Sequence, residues 1–409
     1  MTDTLQVNLG KLMVGSLTML PSGSIVFAFD KSYLNKSKRP ILSQSFFRPS
    51  GELIPETNLS RVKLPAFFSN LLPEGQLRQY LAQLGDIKPT QEFKLIELLG
   101  EDLPGSVIVK STEESLLKPK ITQDKEQTEL SEAYRFSLAG IQLKFSAIAK
   151  KKGGLTIPAR GIGGNWIVKL PAQNYPHVPE NEWAIMHLAK EVGIPTPETN
   201  LIPLDQIEGL PDLGALSGKH CLAVKRFDRT NNGQRIHIED FAQVFNIYPE
   251  KKYHGISYDN VANMVWTLTG ETGLTDFIRR LTFSIVIGNG DMHLKNWSFI
   301  YKDGYIPSLA PAYDLLSTIP YIPKDTLALK LAGHTEMQNI SLEHFKKLIN
   351  KAQIPEYLVL QTVQETVEAT FTTWDSQYKN YALNKEVLER IQNHMKSLSL
   401  KSKYHRVKF

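Results

Sequence analysis

The segment GNGDMHLKN sets Asp291 five residues before Asn296, and PAYDLLS, beyond a hairpin-like stretch, carries Asp314. A carboxylate and an amide at D-x-x-x-x-N spacing can divide two tasks. The Asp takes the proton of an attacking hydroxyl, and the Asn lends an oxygen to a divalent cation. A second Asp just past a hairpin would be the other metal ligand. Upstream, Lys169 closes an apolar run and Glu182 follows 13 residues later. Phosphoryl transfer from ATP requires little beyond such a set: a base, two oxygen ligands for magnesium, and a lysine on the phosphates steadied by a carboxylate. None of these residues is diagnostic alone. Their order and the elements that carry them are what point to one reaction.

Those elements can be read from periodicity and punctuation. Ser24–Asp30 reads as a strand after a Pro-Ser-Gly turn, and Leu64–Leu72 as a short helix ended by Pro73. Ser111–Glu132 is polar, with six acids and three bases, and reads as a linker. Phe136–Ala149 reads as strand, turn, strand, and Asn165–Leu170 as a strand stopped by Pro171. Asn181 is the expected N-cap of a helix whose Ile185, Leu188, Ala189 and Val192 share a face, with Gly193 at the C′ position. Cys221–Phe227 reads as a further strand. From about residue 235 the pattern turns helical: Val261–Leu268, Thr275–Ile287, Ser341–Lys351, Pro355–Trp374 and Lys385–Ser397. One hairpin interrupts it, Trp297–Tyr301 and Tyr305–Leu309 around Lys302-Asp303-Gly304.

Composition narrows the class. Over 409 residues the chain is 42% apolar and 22% charged, with 18 Phe, 15 Tyr and 5 Trp, which excludes a disordered chain or a disulfide miniprotein. No apolar run reaches the length of a membrane helix, and the start, MTDTLQVNLGK, lacks a basic leader. Cys221 is the single cysteine, so an intramolecular disulfide or Cys-based zinc site is excluded and a cytoplasmic location is expected. No histidine pair has helical ligand spacing, so no zinc is expected. The net charge of +5 resides in the last nineteen residues, where five bases meet no acid. The neutral remainder argues against a dedicated nucleic-acid binder.

With those residues in view, the chain resembles the HipA family of bacterial toxin kinases. The likeness rests on RFSLAGIQLK, WIVKLP, NEWAIMHLAKEVGI, LAVKRFDR, GNGDMHLKNWS and PAYDLLS. FFSNLLPEG and IELLGEDLPGSV resemble that family's N-terminal subdomain. The resemblance implies an α+β, two-lobed protein-kinase-like fold with an extra N-terminal α/β subdomain packed on the small lobe. The expected division is 1–110 for that subdomain, 111–132 for the linker, 133–228 for the small lobe and 229–409 for a helical C-lobe. It implies a serine/threonine-protein kinase of a toxin–antitoxin pair that phosphorylates an aminoacyl-tRNA synthetase, halts translation and promotes persistence. A small helix-turn-helix antitoxin like HipB would be its partner, with DNA met only through that complex and no membrane involved.

Carried over residue by residue, the resemblance makes Asp291 the catalytic base and Asn296 and Asp314 the magnesium ligands. Lys169 would contact the ATP phosphates, with Glu182 positioning it. Ala139, Gly140, Ile141, Gln142, Leu143 and Lys144 would form the loop over the phosphates. Lys225, Arg226 and Phe227 would lie along the adenine as a hinge, and Tyr313 would stand beside the nucleotide with Asp314. Ser137 falls at the family's autophosphorylation site; a phosphate there adds nearly two negative charges beside a loop that must fold over ATP, and would disable the enzyme.

Several residues keep two readings. His293 either orients the base or phosphate, or is structural. Lys295 offsets phosphate charge or is solvated. Asp228 reaches the ribose or pairs with Arg226 or Arg229. Trp183, Trp266 and Trp374 read as core. Two other functions share these motifs: a small-molecule phosphotransferase of the aminoglycoside- or choline-kinase kind, and a non-catalytic operon co-repressor. The slightly basic LLSTIPYIPKDTLALKLAG disfavours a pocket for polycations.

Overall fold

The computed structural model describes residues 3–111, 144–149, 155–156, 164–172, 174–210 and 218–400. Three hydrophobic cores organise them. The first gathers on an antiparallel sheet of five strands, β1 (Asp3–Leu9), β2 (Leu12–Met19), β3 (Ser24–Phe29), β4 (Ser60–Arg61) and β5 (Val107–Ser111), in the order β4-β3-β2-β1-β5. Strict alternation buries Ile25, Phe27 and Phe29 on one face of β3. Four helices cover that face: α1 (Lys31–Leu34), α2 (Ala66–Ser69), α3 (Gly75–Leu84) and α4 (Glu92–Leu99). Phe46, Phe67 and Phe68 complete a cluster with Phe27 whose ring centroids lie 4.9–5.6 Å apart.

The second core is small. Its sheet runs β10-β7-β6-β8-β11-β9, from β6 (Lys144–Ala149), β7 (Leu155–Thr156), β8 (Trp166–Lys169), β9 (Thr199–Pro203), β10 (Ile207–Glu208) and β11 (His220–Lys225). Phe145, Val168, Cys221 and Ala223 fill it. Helix α5 (Val178–Glu191) follows β8 and points its apolar face, Ile185, Leu188 and Ala189, into the third and largest core. Its N-cap is His177, in the left-handed conformation at φ 64°, with Pro179 in the first turn. Asn181 is therefore inside the helix rather than its cap; its amide is committed elsewhere, as described below.

The third core belongs to helices α6 (Phe241–Val244), α7 (Tyr258–Ile287), α8 (Leu342–Ala352), α9 (Glu356–Gln377) and α10 (Lys385–Ser397). Helix α7 holds both stretches expected as separate helices. Gly270 divides them at φ 62°, ψ −151°, a conformation that only glycine takes without strain. The hairpin is present as β13 (Ser298–Tyr301) and β14 (Ser308–Leu309), but it is not isolated. A strand that helical periodicity hid, β12 (His237–Asp240), pairs with β13 from His237↔Tyr301 to Asp240↔Ser298. Four residues carry too little pattern to tell strand from helix.

The N-terminal unit touches both lobes. Tyr80 packs edge-on against Phe145 of the small lobe at 6.5 Å, while Ser43 Oγ donates to Glu239 of β12 at 2.6 Å and Lys252 donates to Glu74 at 2.9 Å. Packing on the small lobe alone, as first expected, understates its contact with the helical lobe. No helix among the described residues is long and apolar enough to cross a membrane.

Candidate active site

The register of the small sheet brings two cations together. Lys144 on β6 stands directly opposite Lys169 on β8. Like charges facing across antiparallel strands repel, and here two acids resolve the conflict. Lys169 Nζ bonds to Glu182 of α5 and to Asp314 Oδ1, and Lys144 Nζ lies 2.9 Å from Asp314 Oδ2. Burial alone would strip Lys169 of its proton, but Asp314 and Glu182 outweigh it and hold its affinity above the ordinary lysine value. Burial likewise pushes against ionised Asp314, yet Lys144 and Lys169 keep its carboxylate well below the usual range. Glu182, buried and 1% exposed, is pushed up by the same desolvation, with Lys169 opposing.

Asp314 follows β14 in a left-handed turn, φ 54°, a conformation that Asp tolerates better than most side chains. Asn181 pins the chain just after it: its Nδ2 donates to Ser317 O at 2.8 Å and its Oδ1 accepts from Ser317 N at 3.2 Å. One helix thus supplies the carboxylate that holds Lys169 and the amide that holds the Asp314 segment.

The loop carrying Asp291 leaves α7 at Gly288, φ 72°, where a Cβ would come 2.4 Å from Ile319. Gly290 N donates to Thr318 Oγ1 at 2.8 Å, Asp291 N to Asn289 Oδ1 at 3.0 Å, and Asn296 Nδ2 to Asp291 O at 2.8 Å. The backbone of Asp291 is thereby fixed while its side chain remains 41% exposed. Partial shielding raises the Asp291 carboxyl above its ordinary value, with the Tyr253 hydroxyl, 2.6 Å from Oδ1, acting in the opposite sense.

His293 caps a turn in the loop that carries Asp291. Its Nδ1 accepts from Lys295 N at 3.2 Å, capping the turn Leu294–Asn296, and its Nε2 is 3.9 Å from Asp291, beyond hydrogen-bond reach. Burial and nearby Lys252 lower it to about 3, so the ring is neutral. Lys295 is held by protein groups rather than left to solvent. Its ammonium donates to Asn70 O at 2.8 Å and lies 3.2 Å from Glu74 and 3.4 Å from Asp240. Tyr313 donates to Lys295 O at 2.8 Å, and its ring stands 5.6 Å from Phe227.

At the hinge, Lys225 Nζ reaches Glu198 at 3.4 Å. The Arg226 guanidinium is buried on Asp228, through Nε at 3.0 Å and Nη2 at 2.8 Å. Asp228 also accepts from Arg229 and from Gly105 N, both at 2.8 Å, so the ribose alternative gives way to ion pairing. Ser137, Ala139, Gly140, Ile141, Gln142 and Leu143 lie outside the described residues, as does most of the linker expected over 111–132. Trp374 is core at 2% exposure, and Trp183 and Trp266 pack against the same cluster.

Sequence reasoning missed four residues around Asp291. Tyr253 and Lys252 precede α7 in a turn without any motif of its own. Asn70 and Glu74 belong to FFSNLLPEG, which resemblance singled out without a role. Each acts across at least 38 residues of sequence, and 225 in the case of Asn70 to Lys295.

The arrangement suits a triphosphate: two lysines side by side above a carboxylate, and a second, accessible carboxylate on a rigid loop. Among the described residues no group of three or more His, Cys, Asp or Glu could hold a metal ion. Asp314 with the amide oxygen of Asn296 is a hard-oxygen donor pair of the kind magnesium prefers when phosphates supply other ligands. Asn296 uses its NH2 on Asp291 O, which leaves its oxygen as the available atom.

Comparison with known proteins gives the family and the fold. Residues 136–374 match the HipA-like C-terminal domain, and residues 5–110 match the HipA N-terminal domain. The chain belongs to the HipA family. A candidate kinase of Sinorhizobium fredii, Y4dM, is 48% identical over 95% of both chains. The serine/threonine-protein kinase toxin HipA of Shewanella oneidensis is 25% identical over 88% of this chain and 86% of its own. A solved Shewanella oneidensis HipA, in complex with HipB and operator DNA, superposes with a TM-score of 0.75 at 20% identity, covering 99% of this chain and 100% of that one. The architecture is thus the α+β, kinase-like fold of HipA.

Proposed function

We propose that this HipA-family chain is an ATP- and magnesium-dependent serine/threonine-protein kinase, the toxin of a toxin–antitoxin pair. The observation that carries the reading is the meeting of Lys169, Glu182 and Asp314 from both lobes within bonding distance. Lys144 and Lys169 would receive the phosphates, Phe227 would face the adenine, and Asp291 would take the acceptor hydroxyl's proton. Magnesium, held by Asn296 and Asp314, would supply charge neutralisation on the phosphates. For it to bind, Lys144 must leave Asp314, and a half-exposed lysine can do so at small cost. The relatives support a helix-turn-helix antitoxin as partner, with DNA contacted through that complex. An aminoacyl-tRNA synthetase is the proposed acceptor.

Autophosphorylation at Ser137 would switch the enzyme off. Mass spectrometry after incubation with ATP tests this; an unmodified Ser137 beside a labelled external acceptor refutes it. The main experiment is labelling of a cell lysate with radioactive ATP by the native protein and by Asp291→Asn. A discrete labelled protein that disappears with the variant supports the kinase. Labelled small molecules alone favour a small-molecule phosphotransferase, and equal labelling by both proteins removes Asp291 from its role.

A further inference from the structure

The Tyr253 hydroxyl donates to Asp291 Oδ1 at 2.6 Å. A general base must receive its acceptor's hydroxyl within ~2.6–3.2 Å, so this tyrosine already occupies such a position. The Asp291 backbone is held without it. Asn289 and Asn296 fix the Asp291 backbone from both sides, and among the described residues the Tyr253 hydroxyl makes the one hydrogen bond to the carboxylate.

Nor is Tyr253 a loose surface side chain that happens to lie nearby, although it is 41% exposed. The segment leading to it is fastened to the N-terminal unit at each step. Asn70 Nδ2 donates to Ile247 O at 2.7 Å, the Tyr248 and Ser60 hydroxyls are 3.0 Å apart, and Lys63 bonds to Glu250. Lys252 Nζ then reaches Glu74 at 2.9 Å, while Lys252 O accepts from Leu294 N in the catalytic loop at 3.3 Å. The Tyr253 ring stands edge-on to His293, centroids 4.9 Å apart. Two chain segments far apart in sequence therefore cooperate to place one phenol oxygen on one carboxylate oxygen. The charged groups around that contact are Lys252, Lys144, Glu74, Asp314 and Asp325, with His293 neutral beside it.

We infer that Tyr253 is a positioning residue that holds the acceptor's seat on Asp291, a phenol stand-in which an incoming hydroxyl must displace. This rests on Asp291 being the base. The resting enzyme is thereby guarded against water, the commonest wrong acceptor, and an acceptor protein gains entry by moving a side chain docked on the N-terminal unit. Among the described residues Tyr253 makes no hydrogen bond to Lys144, Lys169, Asn296 or Asp314, so the effect falls on the acceptor side.

Hydrolysis of magnesium-ATP without protein acceptor tests it, because water is then the acceptor. Tyr253→Phe keeps the ring against His293 and removes only the hydroxyl. It should hydrolyse ATP on the order of fivefold faster, the size of one net hydrogen bond, at unchanged KM for ATP and with a melting temperature lowered by no more than a few °C. A purely packing role predicts no gain. An equal or slower rate in Tyr253→Phe overturns the inference. Asp291→Asn separates the two failures: if it is inactive while Tyr253→Phe is unchanged, only the inference falls, whereas hydrolysis by Asp291→Asn at the parent rate removes the base assignment itself.

Discussion

Lys144 and Lys169 face each other across neighbouring strands, and both end on the carboxylate of Asp314. Without a nucleotide, the carboxylate keeps the two ammoniums at close quarters. A triphosphate would meet them already aligned, and the carboxylate they release is the one suited to magnesium. In the proposed kinase the cluster would link strand register to phosphoryl transfer.

Removing Lys169 should expose that dependence. Lys169→Met leaves Glu182 and Asp314 in a buried site with only the more exposed Lys144 opposing them, at a cost of about 3 kcal/mol. A drop in melting temperature on the order of 10–20 °C follows for a lobe of about 100 residues, together with loss of phosphotransfer. Lys169→Met combined with Glu182→Leu should recover part of the stability and none of the activity, since the lone buried acid is gone. Differential scanning calorimetry of the three proteins checks this; additive losses would contradict it.

Asn181 is a second test, with a clear rank order. Its amide donates to Ser317 O and accepts from Ser317 N. Asn181→Ala loses these two bonds and a third, from Nδ2 to the Tyr321 hydroxyl at 3.2 Å, and should cost about 2 kcal/mol. Asn181→Asp keeps the acceptor but turns an oxygen toward the Ser317 carbonyl and adds charge between Glu180 and Glu182. Thermal melts should therefore fall in the order Asn, Ala, Asp. An Asp variant as stable as the parent would count against the pinning role.

Asn181 also illustrates what was legible in the sequence. It was read as an N-cap because it has the right side chain at the start of an apolar periodicity; the helix in fact begins earlier, at a left-handed His177 and a proline. The meeting of Lys169, Glu182 and Asp314 was legible because each motif is local and its element has strong punctuation. The surroundings were not. Lys295 looks free in sequence because its partners, Asn70, Glu74 and Asp240, are distant, and no pattern marks a carboxylate that will meet a lysine 221 residues away. Strand β12 was hidden for a different reason: four residues gain their identity only by pairing with β13.

The interface between β12 and the N-terminal unit should give a pH signature. Glu239 is buried, accepts from Ser43 Oγ at 2.6 Å and from Gln44 N at 3.1 Å, and also bonds to Tyr301. Burial pushes its carboxyl up to about 7, with those donors opposing and Asp240 adding to the rise. A folded-state value above the unfolded one, 4.5, means that the native state holds the proton longer. Its favourable contribution is full below about pH 4.5 and disappears as pH rises through about 7. His237, on the same strand, is lowered by burial to about 4 and contributes the opposite slope between there and 6.5. The two partly cancel in the parent, so the variant comparison is the informative one. Glu239→Gln resembles the protonated acid and should gain stability relative to the parent by a few kcal/mol between pH 5 and 8. A constant difference in melting temperature across that range would show that Glu239 does not titrate there.

The hinge offers the sharpest contrast between a structural and a ligand-binding role. Asp228 accepts from Arg226, Arg229 and Gly105 N, and Asp102 lies 3.0 Å from Arg229 and 3.5 Å from Arg226. Three guanidiniums, counting Arg235 at 3.6 Å from Asp102, share two buried carboxylates, so neither acid is dispensable. Asp228→Asn keeps the shape but leaves guanidinium charge uncompensated away from water, and should cost about 3 kcal/mol. Asp228 belongs to the kinase lobes and Gly105 to the N-terminal unit, so the loss should loosen their junction and increase proteolysis near Gly105. Once folded, well below its melting temperature, the variant should bind a fluorescent ATP analogue within about threefold of the parent, a difference under 1 kcal/mol. Were Asp228 instead a ribose ligand, the pattern would reverse: an unchanged melt and a loss of affinity of tenfold or more, because a buried ligand hydroxyl would be left without its acceptor.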